Sequence, residues 1–246
     1  MSAGERAMEP EPHTCARELR AARTFAEQLM DRRRQFTADA SHELRTPLAA
    51  LRVQVEEARL HPDEIDLPEL LHHVADDLDR LENIVNDLHL LVTLEDDLGR
   101  SLAEVNLTTL AETAAARWAG THDVRLDLEP AVMVEAASWQ ITRLLDNLLD
   151  NARRHATHRL EVSLRRAGDQ AELAVSDDGQ GVPQADRERV FQCFARLDTA
   201  RSRDRGGAGL GLAIARGIAS AHRGTLHVEE TPDGGARFVF RIPLAR

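Results

Sequence analysis

Residues 67–92 read LPELLHHVADDLDRLENIVNDLHLLV, and the spacing of their apolar positions decides the architecture of the first part of the chain. Leu67, Leu71, Val74, Leu78, Leu81, Val85, Leu88 and Val92 alternate at intervals of four and three, the seam of a helix that packs along another helix. Asp76, Asp77, Asp79, Arg80 and Glu82 lie between them as a solvated face. Upstream, Leu44, Leu48, Leu51 and Val55 repeat the spacing. Few helix breakers interrupt the chain before about Arg100, which predicts two long helices joined near His61–Pro68. A single hairpin would leave much of this apolar surface wet. Two hairpins bury their seams together as a four-helix bundle, so a homodimer is expected.

From about Val105 the pattern changes to short strand-like runs between helices. Val124–Leu128 and Ala131–Glu135 read as strands, and Ser138–His155 as an amphipathic helix. Leu160–Arg165 with Ala171–Asp177 alternate as one hairpin, and Thr225–Glu229 with Arg237–Ile242 as another around Pro232–Gly235. The second part is therefore expected to be an α/β sandwich. Between the hairpins, Val182–Gly206 is long and rich in arginine near its end, which favours a lid over a nucleotide.

Bulk properties narrow the function. A chain of 246 residues can bury two modest cores without staples. Its net charge of −11 argues against nucleic acid as a partner, because binding phosphates takes clustered Lys and Arg. Cys15 and Cys193 lack metal-ligand spacing and suggest no disulfide framework, which fits a reducing cytoplasm. No stretch approaches the roughly 20 apolar residues that span a bilayer, and Met1–Glu11 is polar. A cytoplasmic location is expected, which includes the cytoplasmic portion of a membrane-bound receptor with its sensor upstream.

Four motifs carry chemistry. Phe36–Leu48 reads FTADASHELRTPL, with His42, Glu43 and Thr46 within about one helical turn. Pro47 inside a helix deletes the bond to the Glu43 carbonyl and costs about 3 kcal/mol, so a bend that exposes His42 is expected. Neutral imidazole is a nucleophile, and Glu43 can hold its Nδ1–H and stabilise the charge that develops during attack. Asn147–His155 reads NLLDNARRH, with Asn147 and Asn151 on one helical face, where amide oxygens can complete a Mg²⁺ shell and Arg154 or His155 can meet phosphate oxygens. Asp177–Gly181 reads DDGQG directly after a strand, where a carboxylate can accept a bond from an adenine amino group and the glycines allow close backbone approach. Gly206–Leu212 reads GGAGLGL and leads into a helix expected over Ala213–His222, a clustering of backbone N–H groups suited to an anion.

In this order and spacing, the motifs resemble the H, N, G1, F and G2 boxes of HisKA-type two-component sensor histidine kinases, over roughly Arg33–Leu244. The resemblance implies a polar N-terminal segment over 1–24, a dimerisation and histidine phosphotransfer hairpin over 25–100, and a catalytic ATP-binding domain over 101–246. It implies His42 as phosphoacceptor, Glu43 as its acid/base partner, Asn151 as the Mg²⁺ ligand and Asp177 as the adenine reader. Phe191, Phe194 and Arg196 match the F box, with Arg196 directed to the γ-phosphate. Gly207, Gly209 and Gly211 match the lid glycines, with Leu210 among them, and Asn147, Gly179 and Gly181 complete the nucleotide set. The implied activity is autophosphorylation from Mg-ATP, then transfer to an aspartate of a response regulator receiver domain. The pattern from Glu43 to Thr46 matches one linked in this family to phosphatase activity toward that regulator. The chain departs from the family at Ala208, Ala195 and Gln192-Cys193, so a lid that holds nucleotide differently is expected. A related ATPase would need no His42, and a scaffold without catalysis would not need His42, Asn151 and Asp177 intact.

Overall fold

Helix α1 runs Pro12–Leu60 and helix α2 Leu67–Ser101 in this computed structural model, and residues 47–60 of α1 form a helical hairpin with α2, Gln54 donating to Asp77 at 3.2 Å. The structure describes residues 12–63, 66–117, 123–195 and 208–245. The chain divides into two units, residues 1–46 and 47–246. Within the first, α1 is regular: Gln35 bonds Asp39, and the Ser41 hydroxyl donates to the Thr37 carbonyl. The helix continues through Pro47 without interruption. His42 is nevertheless exposed.

In the second unit, α2 starts where Asp66 caps it, its carboxylate accepting the Glu69 N–H at 3.3 Å, with Pro68 in the first turn. The heptad seam then splits into two rows. Val74, Leu81 and Leu88 are half-buried, whereas Leu71, Leu78, Val85 and Val92 stay 50% to 75% exposed. One hairpin thus covers only half of the stripe that its sequence supplies.

The rest of the unit is a layer of helices on a sheet. Strand β1 (Ala103–Asn106) pairs antiparallel with β3 (Met133–Ala136), and helix α3 (Leu107–Ala116) follows β1 at once. Asn106 caps α3 by accepting from the N–H groups of Thr108 and Thr109. Strands β2 (Asp123–Leu128), β4 (Arg159–Ala167), β5 (Gln170–Asp177), β6 (Thr225–Glu230) and β7 (Ala236–Pro243) form a five-stranded sheet of order β2-β4-β5-β7-β6. Only the pair of β2 with β4 is parallel, and helix α4 (Ser138–His155) lies in the crossover between them. Helix α5 (Gly211–Ala221) packs beside α4 on the same sheet.

The core lies between these layers. Ile141, Leu144, Leu145, Leu148 and Leu149 of α4 are buried, as are Leu173 and Val175 of β5 and Phe238 and Phe240 of β7. His222, at the end of α5, is also buried. Its Nε2 accepts the Ala137 N–H at 3.0 Å and its Nδ1–H donates to the Ile218 carbonyl at 2.9 Å, tying α5 to the start of α4. Helix α2 reaches this layer too: Asp87 pairs with Arg143 of α4, and Gln140 donates to the Leu94 carbonyl.

Candidate active site

Strand β5 delivers Asp177 to a turn that is crowded on both sides. The side chain is only 4% exposed. Its Oδ1 accepts the Gly179 N–H at 2.9 Å and the Ala236 N–H at 3.3 Å, while its buried Oδ2 has no hydrogen-bond partner among the described residues. Burial pushes this carboxyl above its ordinary pKa, against the backbone N–H groups that favour the charged form. A buried acceptor without a partner is costly unless something else satisfies it.

The glycines of this turn are required by the space. A Cβ on Gly179 would lie 2.2 Å from the His155 carbonyl oxygen at the end of α4. Gly181 has a φ of 68°, and a Cβ there would meet the Gly234 carbonyl at 2.5 Å. From the other side, a Cβ on Gly235 would lie 1.9 Å from the Asp177 carbonyl. The Asp177 turn is thus wedged between α4 and the β6–β7 turn.

Helix α4 holds Asn147 and Asn151 one turn apart, both half-buried. The Asn147 Nδ2 is buried with no partner among the described residues, and its Oδ1 faces the start of α5, 3.3 Å from where a Cβ on Gly211 would sit. Arg154 is exposed and ion-paired with Asp150 at 2.5 Å. His155 is exposed.

On the far side of α5, Phe191 is buried, meets Phe238 edge-on at 6.1 Å between centroids, and carries the Arg216 guanidinium 4.8 Å above its ring. Phe194 has a φ of 62° and donates its N–H to the Gly209 carbonyl at 2.9 Å. Gly209 has a φ of 74°, and a Cβ there would lie 2.9 Å from the Phe194 Cα, so the F-box and G2-box segments are zipped together at this point. Leu210 is buried below them. Arg196 and Gly207 lie outside the described residues, as does the lid segment from 196 to 207.

On α1, His42 is exposed, Glu43 half-buried, and the Thr46 hydroxyl donates to the His42 carbonyl at 3.2 Å. The structure therefore brings Gly179, beside Asp177, against the end of α4, Gly181 against the β6–β7 turn, and Asn147 against Gly211. The sequence does not mark two residues of this turn. Gly235 reads only as part of a turn, although a Gly-Gly pair is a signal of close backbone approach, and Asp178 reads as any exposed carboxylate.

Comparison with known proteins identifies the two parts of the chain. Residues 32–97 match the family model for the His Kinase A (phospho-acceptor) domain, and residues 137–246 that for the histidine kinase-, DNA gyrase B- and HSP90-like ATPase. The chain is 41% identical over 220 residues to the probable sensor histidine kinase TcrY of Mycobacterium tuberculosis, covering 86% of this chain and 46% of TcrY. It is 37% identical to the sensor protein RstB of Escherichia coli, covering 88% and 50%. The chain spans about half the length of these curated relatives. Among solved structures, the ATP binding domain of PrrB from Mycobacterium tuberculosis is 30% identical, with a TM-score of 0.50, 59% of this chain covered and 99% of that one. The Acinetobacter baumannii histidine kinase AdeS shares the fold over 83% of this chain and 98% of its own, with a TM-score of 0.69 at 23% identity. The phospho-acceptor and ATPase family models match in this order along the chain, and relatives at 37% to 41% identity over 86% to 88% of it are sensor histidine kinases and sensor proteins, so the chain belongs to the HisKA-type sensor histidine kinases, of which it forms the catalytic core.

Proposed function

We propose that this chain transfers the γ-phosphoryl group of ATP to His42, and that the group then passes to an aspartate of a response regulator receiver domain. The observation that carries the reading is the buried Asp177 carboxylate, with one oxygen held by two backbone N–H groups and the other left without a partner. That free acceptor suits the exocyclic amino group of adenine, and a guanine carbonyl in its place would be repelled. The crowded glycines let the backbone approach the ring.

Phosphates extend from there toward Asn147 and Asn151, Gly209 and Gly211, and the N-terminus of α5. The Asn151 amide oxygen, with Asn147 beside it, would hold a Mg²⁺ bound with the nucleotide, which would supply neutralisation of the phosphate charge. Arg154 can serve a phosphate oxygen by leaving Asp150, and Arg196 and Gly207 complete the set from the lid. At His42, the Nε2 lone pair attacks the γ-phosphorus while the bond to the bridging oxygen breaks and ADP leaves with the electron pair. Glu43 receives the Nδ1 proton. Catalysis is positioning and charge neutralisation.

Incubation with γ-labelled ATP and Mg²⁺ is expected to give an acid-labile, base-stable label on this chain. His42→Gln is expected to abolish the label and leave ATP affinity unchanged. Undiminished label on the variant would remove His42 as acceptor.

The same helix supports a second activity, hydrolysis of the phosphorylated regulator. The Thr46 hydroxyl gives its proton to the His42 carbonyl, which leaves its lone pairs to accept from a water. It can hold that water in line with a phosphoaspartate. Thr46→Ala is expected to retain label on His42 while loss of phosphate from the regulator slows; equal changes in both rates would refute the separate role.

The chain acts as a homodimer. The exposed row Leu71, Leu78, Val85 and Val92 is the surface that a second hairpin covers. As the cytoplasmic portion of a longer receptor, it would take its signal through α1.

A further inference from the structure

Asp178, next to the adenine reader, turns away from the nucleotide turn. Its Oδ1 accepts the Thr157 N–H at 2.8 Å and the His158 N–H at 3.0 Å, and its Oδ2 lies 3.2 Å from the same His158 nitrogen. The Thr157 hydroxyl answers by donating to the Asp178 carbonyl at 3.3 Å. Helix α4 ends at His155, and Ala156 is already extended, so the next two N–H groups have left the helix before β4 begins at Arg159. Asp178 collects both. These N–H groups, His158 foremost, pull its pKa down to about 2, so the clamp carries its full charge at neutral pH.

The position matters because the two ends of the nucleotide site sit on separate elements. Asn151 belongs to the last turns of α4, and Asp177 to the end of β5. The two elements meet at the Asp178 clamp and at the neighbouring contact of Gly179 with the His155 carbonyl. We propose that Asp178 is a positioning residue for the nucleotide site, fixing the end of α4 against the Asp177 turn so that the adenine and the phosphates are held at the same time. It touches neither end of the ligand. Its effect passes through Asp177 and Asn151, and the inference rests on the ATP-binding reading above.

Calorimetry of Mg-ADP with the full chain tests it. Asp178→Ala is expected to weaken binding roughly 10-fold, the loss of bonds to a charged acceptor. Asp178→Asn keeps an oxygen for both N–H groups and is expected to stay within about 3-fold of the parent. A purely structural residue would lower the melting temperature without this pattern. Positioning further requires that Asn151→Ala cost less in the Asp178→Ala background than in the parent, because the two ends no longer engage together. Equal affinity of the parent and Asp178→Ala, or additive losses in the double variant, would overturn the proposal. Should Asp178→Ala not fold, Asp178→Ser, which keeps one shorter acceptor, carries the same comparison. Absence of Mg-ADP binding by the parent would instead strike down the nucleotide reading itself, and this proposal with it.

Discussion

His222 shows how a single buried side chain makes the fold respond to pH. Both ring nitrogens are engaged, one as donor and one as acceptor, which is possible only for the neutral ring. Burial disfavours the imidazolium and holds the pKa below the ordinary 6.5, with the Ile218 carbonyl pulling weakly the other way. The unfolded chain therefore takes up the proton first as pH falls. The contribution of His222 is whole above about pH 6.5 and declines below that, toward the depressed folded value. Between about pH 7.5 and 5.5 the urea midpoint of the parent is expected to fall further than that of His222→Gln, whose amide oxygen can still accept from Ala137. Parallel slopes would show that the ring does not carry this linkage. Asp177 and Asp87, both raised by burial, are common to parent and variant, so the difference between the two slopes reports His222.

At the scale of elements, legibility followed how much apolar pattern each segment carries. Helix α4 lies at the bounds its sequence predicts, because an unbroken series of Ile and Leu marks one face. The hairpin β4–β5 was equally plain from strict alternation. By contrast β1 is four residues long, and α3 is built on Ala111, Ala114 and Ala115, whose small side chains give little periodic contrast although all three are buried. Its start is set by the Asn106 cap, a signal that only the structure separates from a turn. Helix α5 begins at Gly211 rather than Ala213, since a glycine that would elsewhere end a helix here opens one beside Asn147. Of the site, the motif residues were legible and the clamp was not. Asp177 and Asp178 are the same residue type in adjacent positions, and only the folded chain gives one a buried oxygen without a partner among the described residues and turns the other to the two N–H groups that follow α4.

For the whole molecule, the exposed row of α2 is the surface proposed to join two copies of the chain. Leu78 and Val85 are about half exposed, so covering the rest is worth roughly half of the 1.5 to 3 kcal/mol that full burial of each would give. Replacing both with glutamate places four charges in a symmetric interface, and is expected to raise the dimer dissociation constant at least about 100-fold. Light scattering is then expected to give a monomer mass with ATP affinity unchanged. A persistent dimer would place the interface elsewhere. The order of strands has a consequence of another kind. Asp177 draws one of its two backbone donors from Ala236, 59 residues later in the chain. During synthesis β5 leaves the ribosome well before β7, so its terminal carboxylate waits, half-held by Gly179 alone, for a strand not yet made. A nascent chain cut short of Ala236 has Asp177 and its glycines in its sequence and lacks part of the frame that shapes them. On the proposed reading of Asp177, nucleotide recognition is then a late event in the life of each molecule, beginning once the final strand has been laid in place.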